Sequence, residues 1–206
     1  GAEAVQVEYE PLPVVVDPWK AMAPDAPVLR TDKPGKKDNH IFHWEVGDRA
    51  ATDKAFAEAD VTVKQDIYIP RIHVASIETC GCVADFNKAT GHLTVYMTTQ
   101  APHAIRTVFA LVAGHVGLAE HKIRIISPDI GGGFGGKVPV YPGYVIAVAA
   151  SVLTGKPVKW IEDRMENLQA DSFARDYHIH AEIGATKDGK ITSLKAKTIA
   201  DHGYTD

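Results

Sequence analysis

The 206-residue sequence has only two cysteines, no low-complexity tract, no internal repeat and no basic excess, its 22 Lys and Arg facing 26 Asp and Glu. Each shortage removes a class of protein. Two cysteines cannot build the disulfide lattice of a small secreted scaffold, and Cys80 and Cys82 stand one residue closer than the C-x-x-C of zinc and redox sites. On a strand that spacing turns both thiols to one face, where simple burial explains them. A net charge of −4 and a pI near 6.2 give no positive field for nucleic acid, and the ten histidines are dispersed. The longest apolar run, Val145 to Leu153, falls short of the ~20 residues that span a bilayer and reads as a buried helix. No charged-then-apolar leader follows Gly1, so no signal peptide is expected in this stretch, and the want of a disulfide framework favours a cytoplasmic setting.

What is present is ample for a core, with 45% apolar residues. Val5 to Tyr9 alternates as a strand. Pro11, Pro13, Pro18, Pro24 and Pro27 then break an extended connector reaching Val28, and a lysine-rich loop covers Thr31 to Asn39. A helix capped by Asp48 runs to Ala59, and Val61 to Ile69 alternates as a strand. Strands at Cys80 to Phe86 and His92 to Thr98 join through the turn signal at Asn87 to Gly91. Pro102 to Ala113 carries Ile105, Val108, Phe109 and Val112 on one helical face and ends against Gly114 and Gly117. Strands at Lys122 to Ser127 and Lys156 to Ile161, a helix at Arg164 to Ala170, and a hairpin of Tyr177 to Ile183 with Ile191 to Ala200 complete the chain. Strands and helices without strict alternation predict an α+β fold with mixed sheets.

The densest signal is Gly131-Gly-Gly-Phe-Gly-Gly-Lys137, directly behind the stretch Lys122 to Ile130 with its β-branched run. Five glycines in six residues make a backbone that reaches φ > 0 and exposes its N–H groups to a bulky anionic ligand. Read as a P-loop, it has Val138 where a Ser or Thr should hold Mg²⁺. Read as a dinucleotide fingerprint, it needs a helix to start within the glycines, yet Pro139 and Pro142 stand there, at ~3 kcal/mol for a proline inside a helix. The helix must begin near Pro142. Glu162 and Asp163, after Val158 to Ile161, still imitate the ribose-binding acid of a nicotinamide domain, so that class stays open beside a structural segment without activity.

Three segments in order, Thr98-Thr-Gln-Ala-Pro-His103, Pro128-Asp-Ile-Gly-Gly-Gly-Phe-Gly-Gly-Lys137 and Lys156-Pro-Val-Lys-Trp-Ile-Glu-Asp-Arg164, resemble the molybdenum-binding large subunit of the xanthine oxidase family. Glu78-Thr-Cys-Gly-Cys82, Tyr141-Pro-Gly-Tyr144 and Phe173-Ala-Arg-Asp-Tyr177 look most like its aerobic carbon monoxide dehydrogenase branch. The resemblance implies a fragment: residues 1–30 as the end of a preceding small α/β domain with its linker, and 31–206 as the N-terminal part of the molybdenum cofactor-binding domain. It implies a molybdopterin cytosine dinucleotide with molybdenum, joined by copper in the carbon monoxide oxidisers. It also implies a medium FAD subunit and a small iron–sulfur subunit in a dimer of heterotrimers, cytoplasmic, with any membrane association made through partners.

By the same resemblance, Gln100 hydrogen-bonds the metal's apical oxo ligand, and Gly132, Gly133, Phe134 and Gly135 contact the cofactor through their backbone. Gln100 and Phe134 are the expected catalytic pair, with Phe134 walling off water. The implied reaction is oxidation of CO with water to CO₂, two electrons passing to the iron–sulfur and flavin partners. Relatives that hydroxylate aldehydes or heteroaromatics remain an alternative, because the copper-binding cysteine and the catalytic glutamate of the family lie downstream of this chain. No metal ligand is assigned within it. His73, His103, His178, His180 and His202 read as solvated or core side chains, Glu78 and Asp129 as structural acids, and Lys156, Lys159 and Arg164 as surface ion-pair partners.

Overall fold

The computed structural model describes residues 4–114 and 118–203. In chain order they form α1 (Pro18–Ala21), α2 (Arg49–Ala57), β1 (Val61–Ile69), β2 (Ile72–His73), β3 (Gly81–Asn87), β4 (His92–Met97) and α3 (Pro102–Gly114). Then follow β5 (Ile123–Ile126), α4 (Pro142–Thr154), β6 (Val158–Ile161), α5 (Arg164–Ala170), β7 (Phe173–Ala174), β8 (Tyr177–Ala185) and β9 (Ile191–Ala200). The mixture is the α+β class expected. The chain divides into two units, one of residues 1–70 with 175–206 and one of residues 71–174.

In the 71–174 unit a four-stranded sheet has the order β5-β4-β3-β6, parallel between β4 and β5 and antiparallel elsewhere. The two-residue period sends Leu93, Val95 and Met97 of β4 and Cys82 and Ala84 of β3 to one face, all at most 4% exposed. Ile105 and Phe109 of α3 and Tyr144, Ala147 and Val148 of α4 complete that core. Each such Leu, Val or Phe contributes roughly 1.5–3 kcal/mol by leaving water. Ser151 ties α4 to the sheet, its Oγ accepting the Phe86 N–H at 3.0 Å and donating to the Lys156 carbonyl at 2.9 Å.

A parallel pair needs a crossover, which α3 supplies between β4 and β5. Because Tyr96 pairs with Ile126 in that parallel ladder, the segments leaving both strands emerge at the same sheet edge. The antiparallel pairing of Gly81 with Ile161 brings the residues before β3 and after β6 to that edge too. Residues 78, 100, 131 and 162 therefore meet where strands end, the usual place for a ligand on an open sheet.

The other unit is an antiparallel sheet of order β1-β8-β9, with α2 against β8 and β9. The turn at Asp188-Gly189 closes the β8–β9 hairpin with Gly189 at φ +89°, and the Asp48 carboxylate caps α2 through the Ala51 N–H at 2.9 Å. Val5 to Tyr9 departs from expectation. It is exposed and irregular, since alternation makes a strand only where a neighbour offers ladder partners. Gly117 lies outside the described residues.

Candidate functional site

The glycine loop joins β5 to α4 and turns irregularly, with Gly132 at φ +94°, Phe134 at +49° and Gly135 at +92°. No helix starts until Pro142, which sits at the first helical position of α4. That excludes the nicotinamide reading, and the two acids that imitated it are used elsewhere. Glu162 is buried and accepts the Cys80 N–H at 2.6 Å, while Asp163 caps α5 in a capping box with Glu166.

The loop's amides divide into two groups. Gly131 N–H donates to Glu78 Oε2 at 2.7 Å, Gly132 to the Ile130 carbonyl and Gly136 to that of Gly133. Gly135 and Lys137 donate to Gln100 Oε1 at 3.0 and 3.2 Å. The adjacent N–H groups of Gly133 and Phe134 have no hydrogen-bond partner among the described residues. Two successive unbonded amides on a left-handed bend form the kind of concavity that receives anionic oxygen.

Gln100 lies on the same edge, following β4. Its own N–H and the Thr99 hydroxyl both donate to the Lys137 carbonyl, at 3.0 and 3.2 Å. With two N–H donors converging on one arm of its planar amide, that arm is the oxygen, and the –NH₂ arm is left without a partner among the described residues. The expected proximity of Gln100 to the Phe134 loop is thus direct hydrogen bonding. Gly133 has no room for a side chain, because a Cβ there would stand 2.5 Å from Gln100 Cδ. Gly132 also runs close under the Phe134 ring, 2.8 Å from its Cε2 to an added Cβ. The ring itself is 78% exposed, so it can exclude water only against a facing surface.

Glu78, read from sequence as a structural acid, has a tie to the glycine loop that motif reading did not anticipate. Its Oε2 accepts both the Gly131 N–H and the Lys137 ammonium, each at 2.7 Å, and Lys137 is only 2% exposed. The Lys137 hydrogen bond lowers the Glu78 pKa against the opposing effect of burial, with the Gly131 N–H adding to it. Nothing in sequence spacing links a residue ahead of β3 to one 59 positions later. Asp129, the other acid read as structural, has no side-chain hydrogen bond or ion pair among the described residues.

Beneath the loop, Asn167 Nδ2 donates to Glu162 Oε1 at 2.9 Å and Asp171 Oδ2 at 2.6 Å, while the Cys80 thiol lies 3.6 Å from Asp171 Oδ2. Burial raises the Asp171 pKa to about 6, the nearby Glu162 carboxylate adding to it. Burial likewise lifts the Cys80 thiol to about 12 and Cys82 to about 11, so both are inert hydrophobes. His73 bonds Asn167 at 3.1 Å, and His180, in the other unit, bonds Asp66 at 2.7 Å. A cavity of about 10 Å³ behind the loop, lined by Glu78, Cys80, Lys137 and Asp171, has room for about one water. A ligand of cofactor size must therefore meet the loop from its open side.

The molybdopterin cofactor-binding domain model matches residues 33–206. The chain is 55% identical, over its whole length, to the carbon monoxide dehydrogenase large chain of Hydrogenophaga pseudoflava and covers 26% of that protein. It is equally 55% identical, over 99% of its length, to the corresponding chain of Afipia carboxidovorans, again covering 26%. The structure superposes on reconstituted CO dehydrogenase from Oligotropha carboxidovorans with a TM-score of 0.86 over 98% of this chain and 26% of that one, at 55% identity. The chain thus spans about a quarter of the length of these relatives, and it belongs to the molybdopterin cofactor-binding domain family.

Proposed function

We propose that this chain supplies one wall of the molybdenum pocket in an enzyme that oxidises carbon monoxide with water to CO₂. The observation that carries the reading is the set of unbonded donors on one sheet edge: the Gly133 and Phe134 N–H groups beside the Gln100 –NH₂. They fit an oxygen-rich, anionic cofactor, and the absence of a Cβ at Gly132 and Gly133 fits its close approach. Gly132, Gly133, Phe134 and Gly135 would hold the cofactor through backbone, and Gln100 would donate a neutral hydrogen bond toward the metal.

The cofactor is read as a molybdopterin cytosine dinucleotide, with copper beside the molybdenum, and when bound it supplies the two-electron oxidation. The chain's own contribution is preorganisation. Gln100 is fixed by two N–H donors before any ligand arrives, so its donor arm needs no reorientation. Phe134 would close the pocket to water once a facing segment of the large subunit covers it. Electrons leave through an iron–sulfur subunit and an FAD subunit, in a dimer of heterotrimers. A cytoplasmic setting suits two buried free thiols, and no described helix is long and apolar enough to cross a membrane.

The test is to purify the full-length large subunit with its partner subunits, assay molybdenum, copper and cytidine nucleotide, and follow dye reduction under CO. Stoichiometric molybdenum with CO-dependent reduction is the expected result. A preparation that reduces dye with an aldehyde or an N-heteroaromatic but not with CO would move the assignment to those hydroxylases. A metal-free preparation would end it.

A further inference from the structure

We infer that Glu78 and Lys137 act as a pair of positioning residues that hold the glycine loop in its cofactor-facing form. The inference rests on the reading of the loop as a molybdenum cofactor wall. The Glu78 carboxylate takes the first N–H of the loop, Gly131, and the side chain of its last residue, Lys137, on the same oxygen, Oε2. The Glu78 N–H in turn donates to the Gly131 carbonyl at 3.2 Å, so residue 78 bonds both backbone polar groups of Gly131. A Cβ on Gly131 would stand 2.5 Å from Glu78 Cβ, which shows how closely the two backbones run.

Lys137 is fastened at every polar group. Its N–H reaches Gln100 Oε1, its carbonyl receives the Gln100 N–H and the Thr99 hydroxyl, and its ammonium reaches Glu78. It therefore joins the acid ahead of β3 to the Gln100 amide, which would face the metal under the proposed reading. With its side chain 2% exposed, loss of Glu78 leaves a buried cation without its partner, and the loop relaxes to bring that charge toward water. The segment carrying Glu78 is itself held, since the Arg164 guanidinium donates to the Ser76 and Ile77 carbonyls. An independent bolt at Tyr141, whose hydroxyl donates to the Gly136 carbonyl at 2.6 Å, keeps the loop's exit attached when the ion pair is broken. The pair thus tunes the amides between its ends without being needed for the fold.

The test uses the full-length large subunit with its partners in four forms: wild type, Glu78→Gln, Lys137→Met and the double variant. Gln at 78 still accepts the Gly131 N–H but carries no charge, and Met at 137 keeps the bulk and loses the ammonium. The expected result is a fall in kcat of roughly 10–100-fold in each single variant. An altered molybdenum EPR spectrum should accompany it, with the circular dichroism of the wild type. The double variant, with neither charge left alone, should recover at least part of the kcat and of the wild-type spectrum. Wild-type enzyme that holds molybdenum, alongside single variants of unchanged spectrum and kcat, overturns the inference while leaving the cofactor reading intact. So does a double variant as impaired as the product of the singles. A wild-type enzyme without molybdenum overturns both.

Discussion

A Cβ placed on Gly133 would stand 2.5 Å from both Cδ and Oε1 of Gln100, so the two residues share a space that only a glycine leaves open. Gly133→Ala should therefore push the Gln100 amide off its two donors without straining the local φ. The expected outcome is a folded large subunit, destabilised by about 1–3 kcal/mol of overpacking, with molybdenum content or CO oxidation lowered roughly 10–100-fold. Metal analysis beside a thermal melt checks both. Wild-type loading and turnover would show that the Gln100 position is immaterial.

The two arms of the Gln100 amide can be separated by substitution. Gln100→Glu keeps an acceptor for the Gly135 and Lys137 N–H groups, so the loop should hold and the melting temperature should change little. The –NH₂ donor is gone, and a negative charge faces an anionic ligand. CO oxidation should fall by at least the roughly 100-fold seen when one preorganised donor is removed elsewhere. Activity within a few-fold of wild type would remove Gln100 from the catalytic groups.

Asp171 makes a pH-dependent prediction. Its folded-state pKa, about 6, lies above the ordinary value of 3.8, because burial and the Glu162 carboxylate disfavour its ionisation. A raised pKa means stability fully present below about pH 3.8 and lost as pH rises through 6. Asp171→Asn keeps an acceptor for Asn167 and cannot ionise, so it should raise the melting temperature at pH 8 and lose that advantage toward pH 4. Melts across this range check the sign. A variant less stable at pH 8 than at pH 5, relative to wild type, would contradict it.

Thiol chemistry offers a direct probe of the core. Cys80 and Cys82 are 1% and 4% exposed, and their thiols are held at about 12 and 11. At pH 8 neither should react with a disulfide reagent in the folded protein, and both should react in denaturant. Rapid labelling of the native protein would mean that β3 opens.

The 206-residue chain by itself should neither retain the cofactor nor turn over CO or an aldehyde. Its donors lie on an open edge with Phe134 uncovered, and half of a pocket lacks the convergence that makes binding tight. Retention of stoichiometric molybdenum on gel filtration, or any turnover, would refute this.

Local chemistry was legible where one element decides it. Two prolines placed the start of α4 at Pro142, Asp48 marked the cap of α2, and glycine density marked the loop. Val5 to Tyr9 misled because alternation reports a strand's faces and says nothing of its neighbours. The Gln100 and glycine-loop contact was reached through resemblance; its physical cause, the parallel pairing of β4 with β5, is a property of topology. Glu78 and Lys137 were invisible for a related reason. Spacing rules govern residues on one helix or strand, and this pair spans several elements.

The loop's restraints also dictate an order of assembly. Gln100 reaches it from 35 positions upstream and Glu78 from 53, so the local turns between Ile130 and Gly136 are completed by restraints from far along the chain. Closing spans of that length has an entropic cost that is recovered only once the β4–β5 ladder has formed. The loop should therefore take its final shape after the sheet of this unit. A cofactor of the proposed kind would then meet a β-edge that is already formed.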